Sequence, residues 1–280
     1  MTQSVRVHIQ GAGAVGKCVA KGLRRAGWKV HLRAARRPIP PKVDADIVLF
    51  AVRDSQLSEY VKLWSIACET SRGAVVLHCA GSLGPEILEP LSRRCKGTGQ
   101  WHPLVSITRA TMPHELHGSY AVIAGNPAAR ALARTLAKAL EMRVAVVSHL
   151  DRAAYHTAAL IMAAGSMIAH QAAQQVLVVA GFRPTQARKM LGPLANSVTT
   201  NVQRLGLPKA LTGPTRRGDV ETVLRHVALL SAKMPHYLPL YAELLTHQLA
   251  MARQLAEADD MRFEQIEAVL KRLCEPRSRP

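Results

Sequence analysis

Four groups of residues in this 280-residue chain have types and spacing suited to chemistry. The first is Gly11-Ala12-Gly13-Ala14-Val15-Gly16, a GxGxxG turn near the chain start. Such a turn lets backbone approach a pyrophosphate and presents the N–H groups of a following helix to it. The second is a pair of histidines, His78 and His102, each expected at the carboxyl end of a strand and each followed by turn-forming residues. The third is Arg152, Tyr155 and His156, where Arg152 and His156 stand four apart and share a helix face. The fourth is Thr212–Asp219, TGPTRRGD, a loop before a helix that suits an anion or substrate, with Arg217 as a ligand and Asp219 placed either as a helix cap or at the substrate. Histidine transfers protons near neutral pH, and arginine orients anions without giving its proton up. Twelve histidines and five cysteines show no metal-ligand spacing, so no metal is expected.

These groups need elements to hold them. Val5, Val7 and Ile9 alternate with Arg6, His8 and Gln10, as in a short strand, and Lys17–Ala26 reads as a helix. A strand, a glycine turn and a helix form a dinucleotide-binding unit. Gly11 makes the turn, Gly13 leaves room for the pyrophosphate, and Gly16 lets helix and strand pack closely. The second strand, Trp28–Leu32, ends at Arg33, with Arg36 and Arg37 just beyond. An NAD site places an acid there, yet Met1–Val43 contains no Asp or Glu. Guanidinium groups can clamp a 2′-phosphate, so NADP(H) is expected over NAD(H). Asp44–Val52 is a buried strand, with Ala51 and Val52 on the cofactor's adenosine side and Asp54 capping a helix from Ser55 to Cys68. Further strands are expected at Ala74–Leu77, Thr98–Trp101, Tyr120–Ala124 and Val144–Val147, with helices at Leu83–Arg93 and from Pro127 to Leu140. The fold class is α/β: a Rossmann-type, doubly wound, mostly parallel sheet over residues 1–149. Residues 150–280 read as an all-α domain for substrate and dimerisation, opened by a long helix from the Asp151 cap to Val179. Helices follow at Thr185–Thr200, from Asp219 to Ser231, at Tyr237–Glu257 and at Phe263–Leu273.

Composition narrows the function classes. A hydrophobic content of 48% supplies real cores. The net charge of +18 is scattered, with no basic tail and no aromatic stripe, so a solvated basic surface is expected, with nucleic-acid binding the minority reading. The apolar stretch 153–181 is broken by Tyr155, His156, His170, Gln171, Gln174 and Gln175, so it suits a bundle helix better than a membrane span. No signal peptide precedes the first strand, and the odd number of cysteines suits reduced thiols, so a cytoplasmic protein is expected.

The glycine turn, the DIVLFAVRDSQL strand and the helical C-terminal half together resemble the β-hydroxyacid dehydrogenase superfamily, which includes ketopantoate reductase and pyrroline-5-carboxylate reductase. More closely, LHCAGSLGPEIL (77–88), HPL (102–104), AYHTAAL (154–160) and LTGPTRRGDVETV (211–223) resemble an uncharacterised family that joins a Rossmann-like domain to a domain of unknown function. The resemblance implies an NAD(P)-dependent oxidoreductase with a helical dimerisation domain, hence a homodimer. The dehydrogenases carry a catalytic lysine and an asparagine four residues later on the first helix after the sheet domain. Here Arg152 and His156 stand nearest to them. Catalysis is then expected from His156 or His102, with Arg152 holding a small anionic substrate beside His78, Tyr155, Arg217 and Asp219. A hydride would pass between nicotinamide and a carbonyl or imine carbon. A cofactor-binding protein without chemistry is the alternative.

Overall fold

The computed structural model describes residues 4–147 and 149–274. Residues before Ser4, Ser148 at the expected domain boundary and the side chain of Cys274 lie outside that description. The chain divides into two compact units, Met1–Ala163 and Ala164–Pro280.

In the first unit the elements follow in order. They are β1 (Arg6–Gln10), α1 (Ala14–Arg25), β2 (Lys29–Arg33), β3 (Lys42–Val43), β4 (Ile47–Phe50) and α2 (Asp54–Ala67). Next come β5 (Glu69–Thr70), β6 (Val75–His78), a 3-10 segment Pro85–Arg94, β7 (Gly97–Leu104), β8 (Tyr120–Gly125), α3 (Pro127–Ala139) and β9 (Arg143–Val146). Seven strands form one sheet in the order β2-β1-β4-β6-β7-β8-β9, and β3 pairs with β5 in a separate ribbon. All neighbours in the large sheet are parallel except β7 and β8. The connection from Leu104 to Tyr120 holds only a short 3-10 turn, Pro113–Leu116, and the two residues it joins pair directly. Without a crossover helix a neighbouring strand must return antiparallel. The order reverses between β1 and β4, and α/β sheets bind ligands at the carboxyl edge beside such a reversal.

Side-chain alternation explains the two faces. Val7, Ile9, Leu49 and Leu77 pack with Cys18, Val19 and Leu23 of α1 and Leu136 of α3. Val48, Phe50 and Val76 pack with Leu57, Val61 and Trp64 of α2. β1 lies inside the sheet with helices packed on both faces, so its polar residues His8 and Gln10 are buried too, while Arg6 at its start is exposed. The two buried side chains pair with each other, with His31 of β2 and with Tyr60 of α2. His31 Nδ1 lies 3.0 Å from His8 Nδ1, His8 Nε2 lies 2.9 Å from Gln10 Oε1, and Gln10 Nε2 donates to the Tyr60 hydroxyl at 2.5 Å. Buried polar groups persist when paired in this way.

The helix α4 (Arg152–Val179) begins in the first unit and ends in the second. In the second unit α5 (Pro184–Leu205), α6 (Val220–Lys233), α7 (Leu238–Leu255) and α8 (Asp260–Cys274) follow. Their core gathers Leu211, Val223, Leu245, Leu249, Phe263 and Ile266. Among the described residues no helix is long and apolar enough to cross a membrane.

Candidate functional site

The glycine turn is built by close approaches. Gly11 has φ +123°, a conformation that side chains rarely adopt, and a Cβ there would strike the Ala51 carbonyl. A Cβ on Gly16 would strike the Gly11 carbonyl oxygen. Gly13 differs: it is the N-cap of α1, and a Cβ there would meet nothing within 4 Å. No side chain caps α1, and its first turn holds no acid. The first N–H groups of α1, including those of Ala14 and Val15, are thus open to an anion in front of Gly13. This cradle fits a pyrophosphate.

Beyond β2 the arginines are arranged unequally. Arg33 donates from Nε and Nη2 to the Pro38 carbonyl at 3.2 and 2.7 Å, which fixes the turn. Arg36 and Arg37 are exposed. Ala51 N donates to Gln10 O at 2.8 Å, so β4 closes against the glycine turn, with Val52 next in line.

At the carboxyl edges of β4, β6 and β7 a second group assembles. β7 runs to Leu104, three residues past the expected end, so His102 sits inside the strand, opposite Val122. Its Nδ1 lies 2.5 Å from the Tyr155 hydroxyl. Its Nε2 end packs on Gly81, where a Cβ would come within 2.7 Å. Burial is the main cause lowering the His102 pKa below 6.5; Asp54 opposes it and His156 adds to it. Burial pushes the Tyr155 hydroxyl up to about 12. The pair is therefore neutral near pH 7 and holds one shared proton path between two neutral groups. His156, the next residue on α4, is exposed.

Two expectations are corrected here. His78 was expected to face a substrate, but it is fully buried at the end of β6. Its Nδ1 accepts from Ala80 N at 3.2 Å and its Nε2 donates to Gly84 O at 3.1 Å. Both nitrogens are used in holding the loop 79–84, and burial lowers its pKa to about 4. Asp54 was expected to cap α2, but Arg53 occupies the N-cap and makes no side-chain cap. The Asp54 carboxylate instead accepts the Ser82 hydroxyl at 2.7 Å, tying the β4 and β6 loops together. Gly81 and Ser82 carried no functional expectation from the sequence; AGS after a strand-end histidine was their visible signal. Cys79, next to that histidine, has its thiol pushed up by burial, which makes it a poor nucleophile.

Arg152 leads α4, and Asp151 caps that helix by accepting from Ala154 N at 3.0 Å. The Arg152 guanidinium lies against Gly84, as does the Glu86 carboxylate. Arg217 and Asp219 belong to the second unit. Asp219 caps α6, accepting from Thr222 N at 3.0 Å, and these hydrogen bonds hold its pKa below the usual carboxylate range. Arg217 is exposed, whereas its neighbour Arg216 pairs with Glu257 and donates to Leu211 O at 2.7 Å. Arg217 and Asp219 line a cleft of about 680 Å³ with Asp259, Arg262 and Gln265.

The fold has matches among known proteins. Residues 37–103 match a Rossmann-like domain, and residues 119–248 match a domain of unknown function, DUF2520. No curated protein matches the chain. Among solved structures, a Bacteroides fragilis protein described provisionally as an NADP oxidoreductase superposes with a TM-score of 0.69 at 18% identity, over 88% of this chain and 98% of that one. Protein TM1727 of Thermotoga maritima gives 0.63 at 18% identity, over 89% and 98%. A pyrroline carboxylate reductase of Plasmodium falciparum, solved with NADP bound, gives 0.60 at 10% identity, over 96% and 99%. What these structures share with the chain is the fold.

Proposed function

We propose that this union of a Rossmann-like domain with a DUF2520 domain is an NADP(H)-dependent oxidoreductase acting on a carbonyl or imine carbon of a small anionic substrate. The observation that carries the proposal is the open cradle at Gly13, at the N-terminus of α1, on the same sheet edge as the His102–Tyr155 pair. Gly11, Gly13, Ala14, Val15 and Gly16 would hold the pyrophosphate, with Ala51 and Val52 along the adenosine side. Arg36, Arg37 and the remaining donors of Arg33 would take the 2′-phosphate. Bound there, the nicotinamide would supply or accept the hydride.

The chain's own residues then handle the proton. With its proton on Nδ1, His102 donates to the Tyr155 oxygen and leaves the phenol O–H free to serve an oxygen or nitrogen developing negative charge. The same Nδ1–H stabilises the phenolate as the proton leaves. A pKa of about 12 keeps Tyr155 protonated until a stronger base forms in front of it. Arg152 and His156, one turn apart on α4, would orient the substrate anion. The apolar surface of α4 and α5 supports a homodimer. Free thiols at Cys18, Cys68, Cys79 and Cys95 suit a cytoplasmic enzyme.

Titration with NADPH and NADH tests the cofactor reading. The Arg33→Gln/Arg36→Gln/Arg37→Gln variant is expected to weaken NADPH binding by about 10- to 100-fold and leave NADH binding unchanged. Equal NADPH affinity in wild type and variant overturns the assignment. In a screen of small keto and imino acids for NADPH oxidation, Tyr155→Phe is expected to lower turnover by about 100-fold at unchanged cofactor affinity.

A further inference from the structure

One cleft of the first unit shares no residue with the glycine cradle, and its chemistry is distinctive. About 1040 Å³ in volume, it lies between the ends of β8 and β9, α3, and the start of α4. Its charged lining is Arg130, Arg134, Asp151 and Arg152, with His149 beside them. The one acid among them is engaged as the cap of α4. Two of the arginines are held in place by backbone. Arg130 Nη1 donates to Gly125 O at 3.0 Å, and Arg152 Nη1 donates to Leu150 O at 3.3 Å. Neither arginine, nor Arg134, forms an ion pair with a carboxylate among the described residues. The Nε of Arg152 is buried without a hydrogen-bond partner, so one donor of a fixed guanidinium is desolvated and unused. A buried donor left in that state is expensive to keep unless a ligand pairs with it. Glu86 approaches Arg152 across Gly84 but does not reach ion-pair distance.

We infer that this cleft binds a dianionic group, a phosphate monoester or an equivalent, carried by a ligand other than the dinucleotide. Three guanidinium groups on two helices suit a tetrahedral anion with several acceptor oxygens better than they suit a single carboxylate. The supports are also rigid: Arg130 and Arg134 sit one turn apart on α3, and Arg152 sits in the first turn of α4. The inference does not depend on the cofactor reading, because none of these residues belongs to the glycine turn or to the arginine turn after β2.

Calorimetric titration of the full chain with inorganic phosphate, at physiological salt, tests it. Wild type and Gly13→Asp, which fills the glycine cradle, are expected to bind phosphate alike. Arg134→Gln alone, at an exposed position, and Arg130→Gln/Arg134→Gln together are expected to weaken binding by about threefold and tenfold. Binding in the presence of saturating NADPH is expected to match binding in its absence. Equal affinity in wild type and both arginine variants overturns the proposal, as does displacement of phosphate by NADPH or loss of binding in Gly13→Asp. If NADPH itself fails to bind, the cofactor reading falls while the phosphate titration still decides the cleft.

Discussion

Gly13 and Gly16 are three residues apart and answer to different constraints. Gly16 is required by the protein itself, because a Cβ would collide with the Gly11 carbonyl. Gly13 is free of protein contacts and has an ordinary backbone conformation at φ −76°. Gly16→Ala is therefore expected to lower the melting temperature and abolish NADPH binding together. Gly13→Ala is expected to leave the melting temperature within a degree or so, while raising the NADPH Kd by about tenfold or more. Thermal melts beside cofactor titrations separate the two. His78 sets a pH dependence by the same kind of reasoning. Its pKa is about 4 in the folded protein, against 6.5 when exposed. Between those values the unfolded chain binds the proton and the folded one does not, so stability rises with pH there. The contribution is complete above about pH 6.5 and is lost as pH falls through about 4; it amounts to roughly 3 kcal/mol. Urea unfolding at a series of pH values is expected to show this slope in wild type and to lose it in His78→Gln.

Elements were legible where a strong local signal met an ordinary role. The glycine turn, the Asn126-Pro127 start of α3 and the Asp151 cap of α4 stand where their residue types put them, and Asn126 accepts from Ala129 N at 2.9 Å as an N-cap should. Legibility failed where a partner distant in sequence decides. The extra length of β7 comes from pairing with β8, so nothing local to His102 marks it as lying inside a strand. Asp54 has the composition of a cap, but Ser82, 28 residues away, takes its carboxylate. His78 and His102 look alike in sequence; a loop that folds back onto His78 and a helix that brings Tyr155 to His102 give them opposite fates. Asp219 is the case in which capping and binding roles compete for one side chain. Asp219→Ala is expected to destabilise the chain by about 1 kcal/mol, with Asp219→Asn close to wild type. Chemical denaturation measures this, and an Asp219→Ala variant of unchanged stability would show that the carboxylate is kept for a ligand instead.

For the whole molecule the decisive feature is surface left uncovered. α4 has 28 residues and none of them is buried. Leu160 and Met167, and likewise Ile161 and Ile168, are seven residues apart and repeat along one side of the helix. Ile161 and Met167 are 68% and 67% exposed, values typical of charged surface positions rather than of isoleucine and methionine. On α5, Met190, Leu194 and Val198 continue at spacings of four, again exposed. A net charge of +18 opposes indiscriminate association, so apolar helices of this extent point to a defined partner, which in the proposed homodimer is a second copy of the chain. Light scattering after size exclusion is expected to give the mass of two chains for wild type. Ile161→Lys/Ile168→Lys places two like charges on the stripe and is expected to give the mass of one chain. Because neither residue contributes to a core, far-ultraviolet circular dichroism of this variant is expected to keep its helical signal. NADPH titration of the monomeric variant then shows whether the glycine cradle works without the second chain. Cofactor affinity equal to wild type is expected, since every residue assigned to the cradle lies between Gly11 and Val52 of one chain. A single-chain mass for wild type across the micromolar range would refute the dimer.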